Sequence, residues 1–328
     1  MHDRRELLKV LAALSLPGAG AIVPVYSQTT YPTKAINMVC GFAAGSATDV
    51  VARVVGIKLS DRLGQPVIVQ NVTGAASTIA ADYVVRSAAD GHTLMTVSSA
   101  ITIAPAVYSN LKFNVEKDLV AIANIGFLPT VLMITDSLPV RNFAEFVEYA
   151  KKNPGKLNYG SSGTGGSTHM AAALLAQTLG LSMIHIPYRG NAPAGQALMA
   201  GEIQVLMDTT VLAAQSVKTN RVRALAVTGS ARSPVLPDVP TFREAGLSNF
   251  DASVMFGIMG PKSLPRPIVE RINREVVECL KDSGLQNQLV KTGGLQLSPG
   301  SPEQFAQLIS DDIAKWRKVA TQMSISAE

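Results

Sequence analysis

The sequence predicts an α/β protein of two lobes, each a mostly parallel sheet flanked by helices, with a ligand cleft between them. Three observations predict it. Strand-like and helix-like patterns alternate in two separate series, and each series carries a glycine- and hydroxyl-rich connection from a strand to a helix. The chain then closes on two amphipathic helices that have no strands of their own. Its 328 residues leave room for two lobes, and 47% apolar against 16% charged residues is a composition that buries a core readily.

In the first series Ala35–Phe42 reads as a short apolar strand. Asp49–Leu63 carries Val50, Val51, Val54, Val55, Leu59 and Leu63 at helical spacing. Val67–Gln70 is a strand, Ile79–Ala88 a helix and His92–Ser98 a strand, which is βαβ material. In the second series Val131–Thr135 is a strand, Phe143–Asn153 a helix and Leu157–Gly160 a strand. A helix from Thr168 to Leu179, a strand at Met183–Tyr188, a short helix at Gly195–Ala200 and a strand at Gln204–Asp208 follow. A helix around Leu212–Thr219 leads to the strand Arg223–Val227. The chain returns through the proline-rich S-P-V-L-P-D-V-P-T and the apolar stretch Val254–Met259. The final helices, Ile268–Lys281 and Pro302–Met323, must pack on a sheet already built, and the first lobe is the expected host. That makes the first lobe discontinuous, 28–130 plus 251–328, around a second lobe at 131–250.

Residues 1–27 read as an export signal. Arg4 and Arg5 precede an apolar run from Leu7 to Val25 broken by Pro17 and Gly18, and Val25-Tyr26-Ser27 supplies a cleavage site. The R-R-E-L-L-K start is of twin-arginine type, and the expected location is the periplasm. A formal charge of +5 is scattered rather than clustered, and aromatics are few, so a nucleic-acid partner is not expected. Cys40 and Cys279 form neither a disulfide framework nor a zinc pattern and read as small buried apolar residues.

The chemistry-bearing stretch is N-Y-G-S-S-G-T-G-G-S-T-H, Asn158 to His169. It misses the nucleophile elbow because Thr164 stands where G-x-S-x-G needs its second glycine. It misses the phosphate loop because Gly166 replaces the lysine, and the dinucleotide pattern because Thr168 replaces the third glycine. What remains is an anion clamp between a strand end at Gly160 and a helix start near Ser167. Gly163, Gly165 and Gly166 let backbone approach a ligand, and Ser161, Ser162, Thr164 and Ser167 add donors without charge. Such a loop suits a carboxylate. The first series repeats the device in G-F-A-A-G-S-A-T-D, Gly41 to Asp49, where Ser46 or Thr48 can cap the helix and Asp49 suits its dipole.

These residues carry a resemblance. P-T-K-A-I-N-M-V-C-G-F-A-A-G-S-A-T-D-V-V-A-R, A-D-G-H-T-L-M, G-K-L-N-Y-G-S-S-G-T-G-G-S-T-H, I-P-Y-R-G-N-A-P-A and R-V-R-A-L-A-V-T-G-S-A-R-S-P-V-L-P-D-V-P-T-F-R-E-A-G resemble the Bug-type receptors of tripartite tricarboxylate transporters, in order from Tyr31 to Met323. The resemblance implies a two-lobed periplasmic binding protein, type II-like, that closes on a small carboxylate (mono-, di- or tricarboxylate, or an amino acid) and passes it to integral-membrane permease subunits. Its ligand loops correspond to Phe42, Ala43, Ala44, Gly45, Ser46, Thr48 and Asp49, to Gly160–His169, and to Tyr188, Gly190, Asn191 and Ala192. The strand end Ser98, Ser99 and Ala100, together with Asp208, is implied to face the cleft. Three departures stand out. The family usually has proline where Gly41 stands and a second glycine where Ser46 stands, and its E-N-R-P-G-A-G-G appears here as Q-N-V-T-G-A-A-S, residues 70–77.

Some residues stay open to two readings. His169 suits a capping or core role better than that of a base. Arg189 is either a bidentate partner for a carboxylate or a solvated loop residue. Asp208 either accepts from a ligand donor or caps the next helix. The expected function is a receptor without chemistry of its own, monomeric, with neither cofactor nor metal. Its rival is an exported α/β enzyme acting on a small organic acid through Ser162 or His169, for which the sequence shows no orienting carboxylate.

Overall fold

The structure, a computed structural model, describes residues 31–327, so the predicted leader lies outside the described residues. The first stretch of chain builds β1 (Ile36–Cys40), α1 (Ala47–Leu63), β2 (Val67–Asn71), α2 (Thr78–Val85), β3 (Thr93–Ser98), α3 (Ala100–Val107), α4 (Val115–Asp118) and β4 (Leu119–Leu128). The middle stretch builds β5 (Thr130–Thr135), α5 (Phe143–Lys152), β6 (Leu157–Ser161), α6 (Ser167–Leu179), β7 (Met183–Pro187), α7 (Asn191–Ala200), β8 (Val205–Thr209), α8 (Thr210–Val217) and β9 (Val222–Val227). The last stretch adds β10 (Val254–Pro261), α9 (Arg266–Cys279), α10 (Ser283–Gln286), β11 (Gln296–Leu297) and α11 (Pro302–Gln322).

Local chemistry sets the helix ends. The Ser46 side chain accepts from Asp49 N at the start of α1, and Gly64 closes that helix at φ 69°. Asn142 caps α5, and Ser301 with Gln304 forms a capping box at the start of α11.

Two sheets result, in the orders β11-β4-β10-β3-β1-β2 and β7-β6-β8-β5-β9. In the first, β1 pairs in parallel with β2 and β3, while β10 runs against both β3 and β4. In the second, β6 pairs in parallel with β7 and β8, and β5 runs against β8 and β9. The reversed strands lie next to the crossings between sheets: Pro129 alone separates β4 from β5, and the chain returns between β9 and β10. The sequence reading missed β4 and left β10 as an apolar stretch. Both are buried along almost their whole length, so no alternation marks them as strands.

Alternation does set the faces elsewhere. Ile36 and Met38 of β1 point to a core shared with Leu59, Ile272 and Val276, whereas Val39 points to the opposite core with Ala80, Val84 and Phe305. Cys40 and Cys279 are both buried free thiols, and Cys279 packs in the first of these cores.

The longest helix belongs to both sheets. Phe305, Ile309 and Ile313 of α11 pack in the core of the first sheet. Trp316, Val319 and Ala320, further along the same stripe, pack with Leu132, Met170 and Leu225 of the second. At the crossover Asp312 Oδ2 accepts from Thr102 Oγ1 of α3 at 2.5 Å and from Trp316 Nε1 at 2.9 Å. Helix α3 makes the same passage, with Ile101 in one core and Ile103 and Val107 in the other.

Candidate functional site

Parallel strands deliver their following loops to one edge. Cys40 is in register with Asn71 and with Thr96, so the segments after β1, β2 and β3 emerge together. Ser161 is in register with Pro187, and Gly160 with Leu206, so the segments after β6, β7 and β8 also emerge together. This is the edge on which open α/β sheets place ligands. The sequence-selected residues therefore form two clusters: 42–49 with 98–100 on the first sheet, and 160–169 with 188–192 and 208 on the second. Helix α3 starts at the first cluster and ends at Val107, whose side chain lies against Gly165 of the second. Its eight residues span about 12 Å. Two larger surface grooves, one lined by Lys262 and Arg266 and another by Asp251 and Lys315, include none of these residues.

In the first cluster Ala43, Ala44 and Gly45 are exposed, Phe42 and Ser46 are half-buried, and Thr48 is buried. Asp49 holds the loop from within. Its carboxylate accepts from Gly45 N (2.9 Å), Arg53 Nε (2.9 Å) and Asn71 Nδ2 (2.7 Å), and Asn71 Nδ2 also donates to Phe42 O at 2.8 Å. Burial works to raise the pKa of this carboxyl, but the bonds from Arg53, Asn71 and Gly45 outweigh it and hold the group at about 2. Asp49 is thus anionic, with its oxygens engaged by Gly45 of the loop, Arg53 of α1 and Asn71 of β2. Asn71 was not recognised from sequence, where it is one polar residue at a strand end. Ser99 is engaged as well, with its Oγ accepting from Met255 N at 2.8 Å, while Ser98 Oγ takes only a long bond of 3.5 Å from Ala100 N.

The second cluster is stiffened the same way. Gly163 and Gly165 adopt φ of 133° and 73°, in the region that favours glycine. Ser161 Oγ accepts from Gly163 N at 3.1 Å, Thr168 Oγ1 accepts from Ser162 N at 2.9 Å, and His169 Nδ1 accepts from Gly165 N at 3.0 Å. Three of the amides expected to face a ligand are therefore used within the loop. The start of α6 is not: its N-cap is Gly166, which has no side chain to cap it, so the first-turn N–H groups of Ser167, Thr168 and His169 lack a side-chain acceptor. Thr164 is exposed, Gly160 is buried and Ser162 is half-buried.

His185 was also missed, because only the sheet register places it beside Tyr159. Its ring stacks on His169 with centroids 3.7 Å apart and 6° between planes, and its Nε2 lies 2.6 Å from Ser161 Oγ. Burial drives both imidazoles down, His169 to about 3 with a further push from His185, and His185 to about 4. Ser161 is fully buried and its histidine partner has no carboxylate behind it, so the pair shapes the loop rather than forming a catalytic dyad.

A pH dependence follows. Both folded pKa values lie below the unfolded value near 6.5, so as pH falls through 6.5 the unfolded chain takes up protons first. Stability is unaffected by this pair above about pH 6.5 and is lost from there down to about pH 3, where the folded rings protonate. Melting curves between pH 7.5 and 4 are expected to show that loss, with a shallower slope in His169→Gln. An identical slope in the variant would contradict it.

Around the third segment, Gly190 at φ 113° precedes α7, which starts earlier than expected and takes Asn191 and Ala192 into its first turn. Tyr188 is half-buried, and burial raises its hydroxyl pKa. Arg189 is exposed and makes no salt bridge among the described residues. Asp208 is fully buried; its Oδ1 accepts from Asn191 Nδ2 (2.7 Å) and Thr209 N (2.6 Å), while Oδ2 has no protein partner. Burial raises this carboxyl to about 6 despite those bonds.

Comparison with known proteins agrees with this arrangement. Residues 51–325 match the model of the tripartite tricarboxylate transporter family receptor. A protein of R. palustris solved with adipate is 30% identical with a TM-score of 0.78, over 90% of this chain and 99% of that one. MatC from Rhodopseudomonas palustris, solved with bound malate, is 32% identical with a TM-score of 0.75, over 88% and 99%. The periplasmic binding protein BugD is 29% identical with a TM-score of 0.76, over 91% and 100%. Two mixed sheets joined at two crossings, glycine-bearing loops at their carboxyl edges and a family match over most of the chain lead to one assignment: this protein belongs to the receptors of the tripartite tricarboxylate transporter family, which bind solutes and are not enzymes.

Proposed function

We propose that this receptor binds a small carboxylate between the two loop clusters and delivers it to integral-membrane permease subunits. The observation that carries the reading is the start of α6. Its amides are left without a side-chain cap behind a loop that its own serine, threonine and histidine side chains hold in shape. Adipate and malate in two similar proteins agree with that chemistry. In this reading the lobes are 28–130 plus 251–328 and 131–250. The ligand meets Gly45, Ser46, Ser98, Thr164, Ser167, Tyr188 and Asn191, while Asp49, Ser99, Ser161 and His169 hold the walls. A hydrogen bond to a charged group contributes about 1.5 to 3 kcal/mol, so four or five such bonds can offset lobe closure and leave micromolar affinity, roughly −8 kcal/mol.

The protein acts as a monomer in the periplasm after removal of its leader. N-terminal sequencing of the exported protein is expected to start near Gln28, and retention of the apolar segment would refute that. A thermal-shift screen with mono-, di- and tricarboxylates tests the function. A ligand at about a hundred times its Kd stabilises the folded state by about 2.7 kcal/mol. At least one dicarboxylate is expected to do so, and a flat response to all of them would overturn the reading.

A further inference from the structure

Five described non-glycine residues have φ in the left-handed region, and three of them are consecutive: Ala75 (43°), Ala76 (49°) and Ser77 (78°). Side chains other than glycine adopt this conformation at a cost, and strain of this kind gathers at binding sites when the surroundings enforce it. The strained turn immediately precedes α2, at the same sheet edge as the loop 41–49. Serine ahead of a helix ordinarily caps it. Here Ser77 makes no capping bond to α2, because its left-handed backbone turns the side chain elsewhere. It turns onto Gly41, where a Cβ would come within 2.0 Å of Ser77 Oγ and 2.8 Å of Ser77 Cα. Residue 41 must therefore be glycine while Ser77 keeps this place.

Any side chain at 41 would collide with Ser77, and glycine at 77 would carry the turn without strain but offer no hydroxyl. Ser77 is 2% exposed. Its hydroxyl makes no capping bond and so remains able to donate to a group that enters the loop cluster.

We propose that Ser77 is a ligand-contacting residue of the first cluster, donating its hydroxyl to a carboxylate oxygen of the bound acid. The proposal rests on the carboxylate-receptor reading and adds to it a contact that fits the other end of a dicarboxylate whose first end sits at α6. The two helix starts belong to different sheets, which a single carboxylate group spans less well than a chain with one at each end.

Two variants test it, titrated calorimetrically with succinate, malate, adipate and citrate and melted without ligand. Ser77→Ala removes the hydroxyl and keeps the strain, so affinity for the acid that binds wild type is expected to fall about tenfold or more with little change in melting temperature. Ser77→Gly also removes the strain, so the same loss of affinity should come with a melting temperature higher by roughly 2 °C. Opposite signs for stability and affinity are what a merely structural serine would not give. If wild type binds an acid and both variants bind it equally well, the Ser77 assignment fails while the receptor reading stands. If Ser77→Gly loses stability and affinity together, Ser77 is a structural prop and the proposal is overturned. If wild type binds none of the four, the carboxylate reading falls and takes this assignment with it.

Discussion

Gly163→Val is expected to lower carboxylate affinity by roughly tenfold to hundredfold, the loss of one or two charge-assisted bonds, while the ligand-free protein stays folded. Gly163 sits at φ 133°, and a Cβ there meets nothing nearer than Tyr188 O at 3.7 Å. There is space for a side chain but no tolerance in the backbone, so valine forces the loop to rearrange locally rather than displacing the core. Gly165 would respond differently. Its Cβ would lie 3.0 Å from Val107 Cγ2 and 3.1 Å from Ala327 Cβ, so a substitution there also disturbs the packing of α3 and the C-terminal segment. Calorimetry and melting curves on Gly163→Val decide the matter. Unchanged affinity with a lower melting temperature would mean that this glycine serves folding alone.

Trp316→Ala is expected to be the most damaging single substitution for stability, costing about 3–5 kcal/mol, or on the order of 10 °C in melting temperature. Trp316 is 2% exposed in the second core, and its indole N–H donates to Asp312, which also holds Thr102. The substitution leaves a cavity where α11 passes from one sheet to the other and frees the Asp312 bond as well. Trp316→Phe retains most of the buried ring and is expected to lose only about 1 kcal/mol for the missing hydrogen bond. Trp316 is the only tryptophan of the chain, so wild-type unfolding can be followed by its fluorescence and the variants by circular dichroism. A loss below about 1 kcal/mol for the alanine variant would contradict the role of α11 as a spine common to both cores.

The legibility of these features in the sequence varied for physical reasons. The two βαβ series were readable because partly exposed helices such as α5 and α9 keep one apolar face. Strands β4 and β10 were not, because residues buried on both sides of a sheet leave no period to count. Helix α3 hid behind Pro105 and β-branched residues. The glycine loops were found because positive φ demands glycine, but the sequence could not show which of their amides would be satisfied internally. That depends on Asn71 and His185, which reach the loops only through strand register. Nor could it show α11 dividing its stripe between two cores, since Phe305 to Ala320 reads as one uninterrupted apolar face.

The central claim is that one carboxylate-bearing ligand draws both loop clusters together. Small-angle scattering on the protein with an acid that raises its melting temperature, and with the methyl ester of that acid at equal concentration, tests it most directly. Closure on a charged carboxylate requires a smaller radius of gyration with the acid and no change with the ester, because the charge-assisted bonds at the start of α6 are lost. Equal compaction by acid and ester, or tight acid binding with no compaction, would contradict the account.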